Sequence, residues 1–241
     1  MSKSFLFELC AESLEAAKAA QAGGADRMEL CEQLAISGVT PSIELLRGVL
    51  DAVSIPVHVL IRPRGGNFVY TESEFSLMRR QVEQAKAAGA AGVAIGVLLR
   101  DGRVDVTRTF ELAKLARPMK VTFHRAFDEA DDLERALEDV IRSGVDCLLT
   151  SGGRANVLAG AEQIGRLQRQ AGNRLEVMAG GGLKLANLAE VVRRSGVTCL
   201  HGSLSRTRGV GEEIPSHSSQ IEEDLREAIR LLQQECLEPA G

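Results

Sequence analysis

Two short apolar runs carry the same pair of reactive side chains at the same offset. Glu8 and Cys10 lie in Phe5-Leu6-Phe7-Glu8-Leu9-Cys10, and Glu29 and Cys31 in Arg27-Met28-Glu29-Leu30-Cys31. If both runs are strands, alternation puts Phe5, Phe7 and Leu9 on one face and Leu6, Glu8 and Cys10 on the other; Met28 and Leu30 likewise oppose Arg27, Glu29 and Cys31. On adjacent strands, roughly 5 Å apart, two reduced thiols can share one soft metal ion. The carboxylates suit general acid–base work or a harder ion. His58, Leu60 and Arg62 share the same kind of face in a third run, Thr122 and His124 in a fifth, and Cys199 and His201 in an eighth.

Other groups suit a small anion. Thr150-Ser151-Gly152-Gly153, Ala179-Gly180-Gly181-Gly182 and His201-Gly202-Ser203 each close an apolar run, and glycine lets backbone amides approach an anion closely. Arg62, Arg64 and Arg125 add candidate contacts to a carboxylate or phosphate. With Glu8 or Glu29 as base and His124 as acid or electrophile, these residues describe an enzyme site for a small anionic or phosphorylated metabolite. A structural reading stands beside each assignment. The charged residues can form an ion-pair network filling a core, buried free cysteine is a common small core residue, and tight turns also want glycine. His58 reads as a satisfied core histidine, and Cys147 and Cys236 as inert thiols.

The elements that must position these groups follow from periodicity. Apolar stretches of strand length fall near 4–10, 26–31, 56–62, 92–98, 119–124, 146–150, 175–179 and 198–202, separated by segments of helical period. Ser13, Thr40 before Pro41, Thr71 with Glu74, and Asp131 or Asp132 supply helix starts. A helix-ending glycine followed by a small residue recurs before the second, fourth, sixth and eighth runs, at Gly24, Gly89, Gly144 and Gly196. Eight βα units in 241 residues predict one domain, 1–241, folded as a single-domain α/β (β/α)8 barrel, which typically needs roughly 250 residues. The tail from Arg206 is expected to end in an amphipathic helix, about 218–235, covering the barrel. In such a barrel every strand ends on one rim, so the polar clusters gather there.

Composition narrows the partners. A formal net charge of -4 with interspersed acids and bases offers no basic stripe for nucleic acid, and no apolar stretch reaches membrane-spanning length. No signal-peptide pattern opens the chain, so the expected compartment is the cytoplasm, with the five cysteines as reduced thiols. No lysine ends a strand, which disfavours Schiff-base chemistry, and no Gly-x-Gly-x-x-Gly follows the first strand, so no nucleotide cofactor is expected. A divalent metal held by Glu8, Glu29 and His124 remains open.

Glu-Leu-Cys at 29–31, Thr-Pro-Ser at 40–42, Ile-Pro-Val at 55–57, Ile-Arg-Pro-Arg-Gly-Gly at 61–66, Val-Thr-Phe-His-Arg-Ala-Phe-Asp at 121–128 and Leu-Thr-Ser-Gly at 149–152 together resemble the CutC family over about residues 4–205. The resemblance implies a TIM barrel, a role in copper homeostasis, Cu(I) bound by Cys10 and Cys31, and a cytoplasmic homo-oligomer, dimer or tetramer. The sequence departs from the family pattern at Gly38-Val39, at Asn67, and in a tail without the usual Arg-Asn segment. Cu(I) binding and small-anion catalysis are therefore the two functions these residues suit.

Overall fold

The computed structural model describes residues 5–204 and 217–235. Eight parallel strands close into a barrel in sequence order: β1 (Leu6–Ala11), β2 (Arg27–Leu30), β3 (Val57–Leu60), β4 (Gly92–Ile95), β5 (Lys120–Phe123), β6 (Cys147–Thr150), β7 (Glu176–Ala179) and β8 (Cys199–Gly202). The chain crosses between them through α1 (Leu14–Gly23), α2 (Ile43–Ala52), α3 (Glu72–Ala88), α4 (Val106–Ala116), α5 (Leu133–Arg142), α6 (Ala161–Ala171) and α7 (Leu185–Ser195), and α8 (His217–Glu235) packs against α1 and α7. The start of the tail at Arg206, and Cys236, lie outside the described residues.

Local chemistry sets the helix ends. Ser13 caps α1 by accepting from Ala16 N, Thr71 and Glu74 form a reciprocal capping box on α3, and Asp132 accepts from Glu134 N and Arg135 N at the head of α5. Gly24, Gly89, Gly144 and Gly196 all take positive φ, so the recurring glycine is a helix stop repeated along the barrel. One expected start is displaced: α2 is capped by Ser42, not Thr40. Thr40 is already engaged with the third strand's extension, its N–H donating to Arg62 O and its hydroxyl accepting from Arg62 N, so the helix cannot begin until the chain has turned away.

The faces separate as alternation requires. Phe7, Leu9, Met28 and Leu30 are buried between barrel and helices. Inside, two apolar clusters sit at different heights: Cys10, Cys31, Leu60 and Ala94 toward the strand C-termini, and Cys147, Leu149, Met178 and Cys199 toward the N-termini. The polar residues of the interior occupy the space between and above them.

Two glycines make room for imidazoles. A Cβ at Gly92 would stand 2.5 Å from the His58 ring, and one at Gly96 would stand 2.4 Å from His124. Because both rings are buried and neither can swing out, Gly92→Ala is expected to cost about 1–3 kcal/mol, measured by denaturant unfolding. A neutral result would show that His58 is free to move.

Candidate functional site at the C-terminal rim

Glu8 lies inside the barrel, where its Cα neighbours are Arg27 on β2 and His201 on β8. An isolated carboxylate at that depth would cost several kcal/mol, and the sequence surrounds it with cations. Arg27 Nε donates to Glu8 Oε2, His201 Nδ1 lies 2.8 Å from Glu8 Oε1, and His58 Nδ1 lies 3.6 Å from Oε2. Burial opposes ionisation of Glu8, yet the His201 hydrogen bond and the charges of Arg27, His201 and His58 outweigh it, and the carboxyl falls to about 2. Burial would also discharge His201, but Glu8 and Glu29 hold its pKa above the ordinary value. His58 is instead pushed down by burial and makes no hydrogen bond through Nδ1, so it is a core histidine without the partner expected of it.

Two residues further along, the thiols meet. Cys10 pairs in register with Glu29, and Cys31 N–H donates to Ala11 O, so both side chains enter from adjacent strands on one face. Their sulfurs are 3.7 Å apart and both thiols are free. Cys10 Sγ also lies 3.7 Å from Glu29 Oε2, and His201 Nε2 lies 3.7 Å from the same oxygen. Cys10, Glu29 and His201 therefore offer three ligand atoms within 4.8 Å of one another, with Cys31 against Cys10. The hydrogen bond to Cys31, burial and nearby Glu29 push the Cys10 thiol well above its ordinary pKa, and burial raises Glu29.

Of these groups Cys10, Glu29 and His201 face a cavity of about 500 Å³, whose wall also includes Arg62, His124, Arg125 and Gly202. His124 Nδ1 accepts from Ala126 N, which leaves the proton on Nε2; burial, reinforced by Arg62, drives its pKa to about 3, so it is a neutral donor. Its Nε2 and Arg62 Nε are buried without a partner among the described residues.

The structure sorts the remaining candidates. Gly181, Gly182 and Ser203 also line the cavity. Arg62 does so, but with both terminal nitrogens committed: Nη1 donates to Ile36 O, Ser37 O and Gly38 O, and Nη2 to Gly66 O. Its main work is to hold the loop after β2, where Gln33 and Ser37 take positive φ. Arg64 is not in the cavity wall; its guanidinium ties Glu74 to the carbonyls of Gly65, Asn67 and Val69. Ser151 and Gly152 stand behind the wall. Ser151 is bound to Asp128 and Arg154 O, and a Cβ at Gly152 would meet Gly160 O at 2.6 Å, so that glycine serves loop packing. Asp128 was given no role by sequence reasoning, although it closes the motif at 121–128. It accepts from Thr150 Oγ1, Ser151 N and Gly153 N and pairs with Arg125 at 2.9 Å, fixing the loop after β6 and the guanidinium that stands against Gly181 in the cavity wall. The Cys147 thiol is likewise not isolated, since it converges with Cys199.

Removing the Glu8 charge tests the network. Glu8→Gln removes the nearest anion of both Arg27 and His201 and is expected to cost about 3–5 kcal/mol in urea unfolding. The native stability due to Glu8 is complete above about pH 4.5 and is lost as pH falls through about 2, because its folded pKa is the lower one. The variant lacks that acid limb; an unchanged acid profile would remove Glu8 from the centre of the network.

Comparison with known proteins identifies the family. The family model described as the CutC family matches residues 5–206. A CutC family protein of Chromobacterium violaceum is 48% identical over 198 residues, 82% of this chain and 80% of that protein. The human copper homeostasis protein cutC homolog is 43% identical over 214 residues, 89% and 78% of the two chains. The solved CutC structure from Streptococcus agalactiae superposes with a TM-score of 0.79 at 29% identity, covering 83% of this chain and all of that one. With the family model spanning most of its length, this chain belongs to the CutC family.

Proposed function

We propose that this protein is a copper homeostasis protein of the CutC type that binds Cu(I) in the cytoplasm through Cys10 and Cys31. The observation that carries the reading is the pair of free, buried thiols 3.7 Å apart, of which Cys10 lines the rim cavity and Cys31 lies behind it. Thiolates favour Cu(I) over hard divalent ions, and a reducing compartment keeps both sulfur and metal in the required state. His201 fits a supporting role: Glu8 holds Nδ1 and leaves Nε2 toward Cys10 and Glu29, the arrangement in which a carboxylate orients a metal-binding imidazole. The name of the human relative supports copper as the cargo. Since the Cys10 thiol is protonated at neutral pH, Cu(I) entry releases a proton and affinity rises with pH. In an anaerobic titration against a chromophoric Cu(I) chelator, Cys10→Ala and Cys31→Ala should each remove one tight equivalent. Unchanged affinity in both rejects the reading.

A second reading is favoured by two buried donors that have no partner among the described residues, His124 Nε2 and Arg62 Nε, in residues of the same cavity wall. Here the cavity takes a small anionic metabolite, with Arg125 and the amides near Gly181 and Gly202 binding its charge. The pKa shifts divide the carboxylates: Glu29, raised by burial, suits a general base, whereas Glu8 is too strongly paired. Neutral His124 suits an electrophile donating a hydrogen bond, not a cationic acid. Inorganic phosphate should raise the melting temperature of the native chain, and Arg125→Ala should abolish the shift. No shift in either chain counts against an anion site.

A further inference from the structure

The opposite end of the barrel interior holds a second group of sulfur ligands. Cys147 opens β6 and Cys199 opens β8, and inward side chains on alternate strands share a layer. Their sulfurs and a carboxylate oxygen of Glu176, on the intervening β7, all lie within 4.8 Å of one another. Both cysteines are free and buried, while Glu176 is about half exposed and gives the group an opening toward solvent. A third sulfur stands close by: Arg27 Nη2 donates to Met178 Sδ at 3.4 Å and to Cys199 Sγ at 3.8 Å, placing thioether and thiol against one guanidinium.

We propose that Cys147 and Cys199 form a second Cu(I) site, with the Met178 thioether beside it and Glu176 at its entrance. Two thiolates and a thioether constitute a soft donor set, which selects a thiophilic monovalent ion over magnesium or calcium. Two sulfur bonds of about 2.3 Å, the length known for a zinc–thiolate bond, span up to about 4.6 Å, so a separation inside 4.8 Å needs little movement to be bridged. Charge also fits. Two thiolates around one monovalent ion keep a single negative charge, and the Arg27 guanidinium, which it shares with Glu8, donates to the Cys199 sulfur. The group shares no ligand with Cys10 and Cys31, so the site stands whether or not the rim binds copper.

The test is an anaerobic Cu(I) titration of the full chain against a chromophoric chelator, in a reductant that does not itself bind copper. The native chain should take two equivalents, and Cys147→Ser/Cys199→Ser one fewer. Cys10→Ser/Cys31→Ser should keep the second equivalent, and its copper X-ray absorption should show a first shell made of sulfur alone. This measurement leaves the lower thiols intact and so does not depend on their variants folding. Met178→Leu, which preserves volume, should weaken the second equivalent about tenfold without changing the first. Loss of all tight copper in Cys10→Ser/Cys31→Ser overturns the proposal while sustaining the rim reading. An oxygen- or nitrogen-rich shell, or binding of Zn(II) in place of Cu(I), overturns the assignment of a soft monovalent ion.

Discussion

A carboxylate inside a closed parallel barrel must be neutralised in place, because neither water nor a flexible loop can reach it cheaply. Glu8 imposes that constraint here. Arg27 from the next strand and His201 from the strand on the other side answer it, and both can do so only because closure makes β1 the neighbour of β8 as well as of β2. The pairing fixes the tilt of the His201 ring. That in turn decides which nitrogen faces the thiols and Glu29.

The rim is built outward from this centre by side chains that hold loops. Arg62 gathers four backbone carbonyls from the segments after β2 and β3, and Asp128 gathers the amides and hydroxyls after β6. Both bind backbone groups that helix and strand leave unpaired, which is why a loop as irregular as 33–38, with two non-glycine residues at positive φ, keeps one shape. The cavity owes its walls to these internal contacts. Fewer of its arginines are available to a ligand than a count of charges implies.

Arg27 joins the two ends of the interior. Its Nε serves Glu8, which belongs to the rim network, and its Nη2 rests on Met178 and Cys199 below. One guanidinium thus stands between two thiol pairs, separated by a buried ion pair and not by an apolar plug. The barrel centre is polar where most parallel barrels carry branched aliphatic layers, and small residues such as Gly92 give up volume to the imidazoles that share it.

Much of this was written in local pattern. Period-two alternation assigned Glu8, Cys10, Glu29 and Cys31 to one face, the spacing of apolar runs gave eight βα units, and capping residues marked the ends of most helices, because each depends on neighbours within a few positions. Thr40 misled for a reason that is not local: its partner is Arg62, twenty-two residues away. The same holds for Arg64, whose proximity to the rim in sequence says nothing of Glu74 waiting on α3, and for Cys147, which gains meaning only when β7 sets it beside Cys199. Which charged group pairs with which, which glycine makes room for which ring, and how many thiols meet were decided by barrel closure and strand register, since these bring together residues as far apart as 8 and 201.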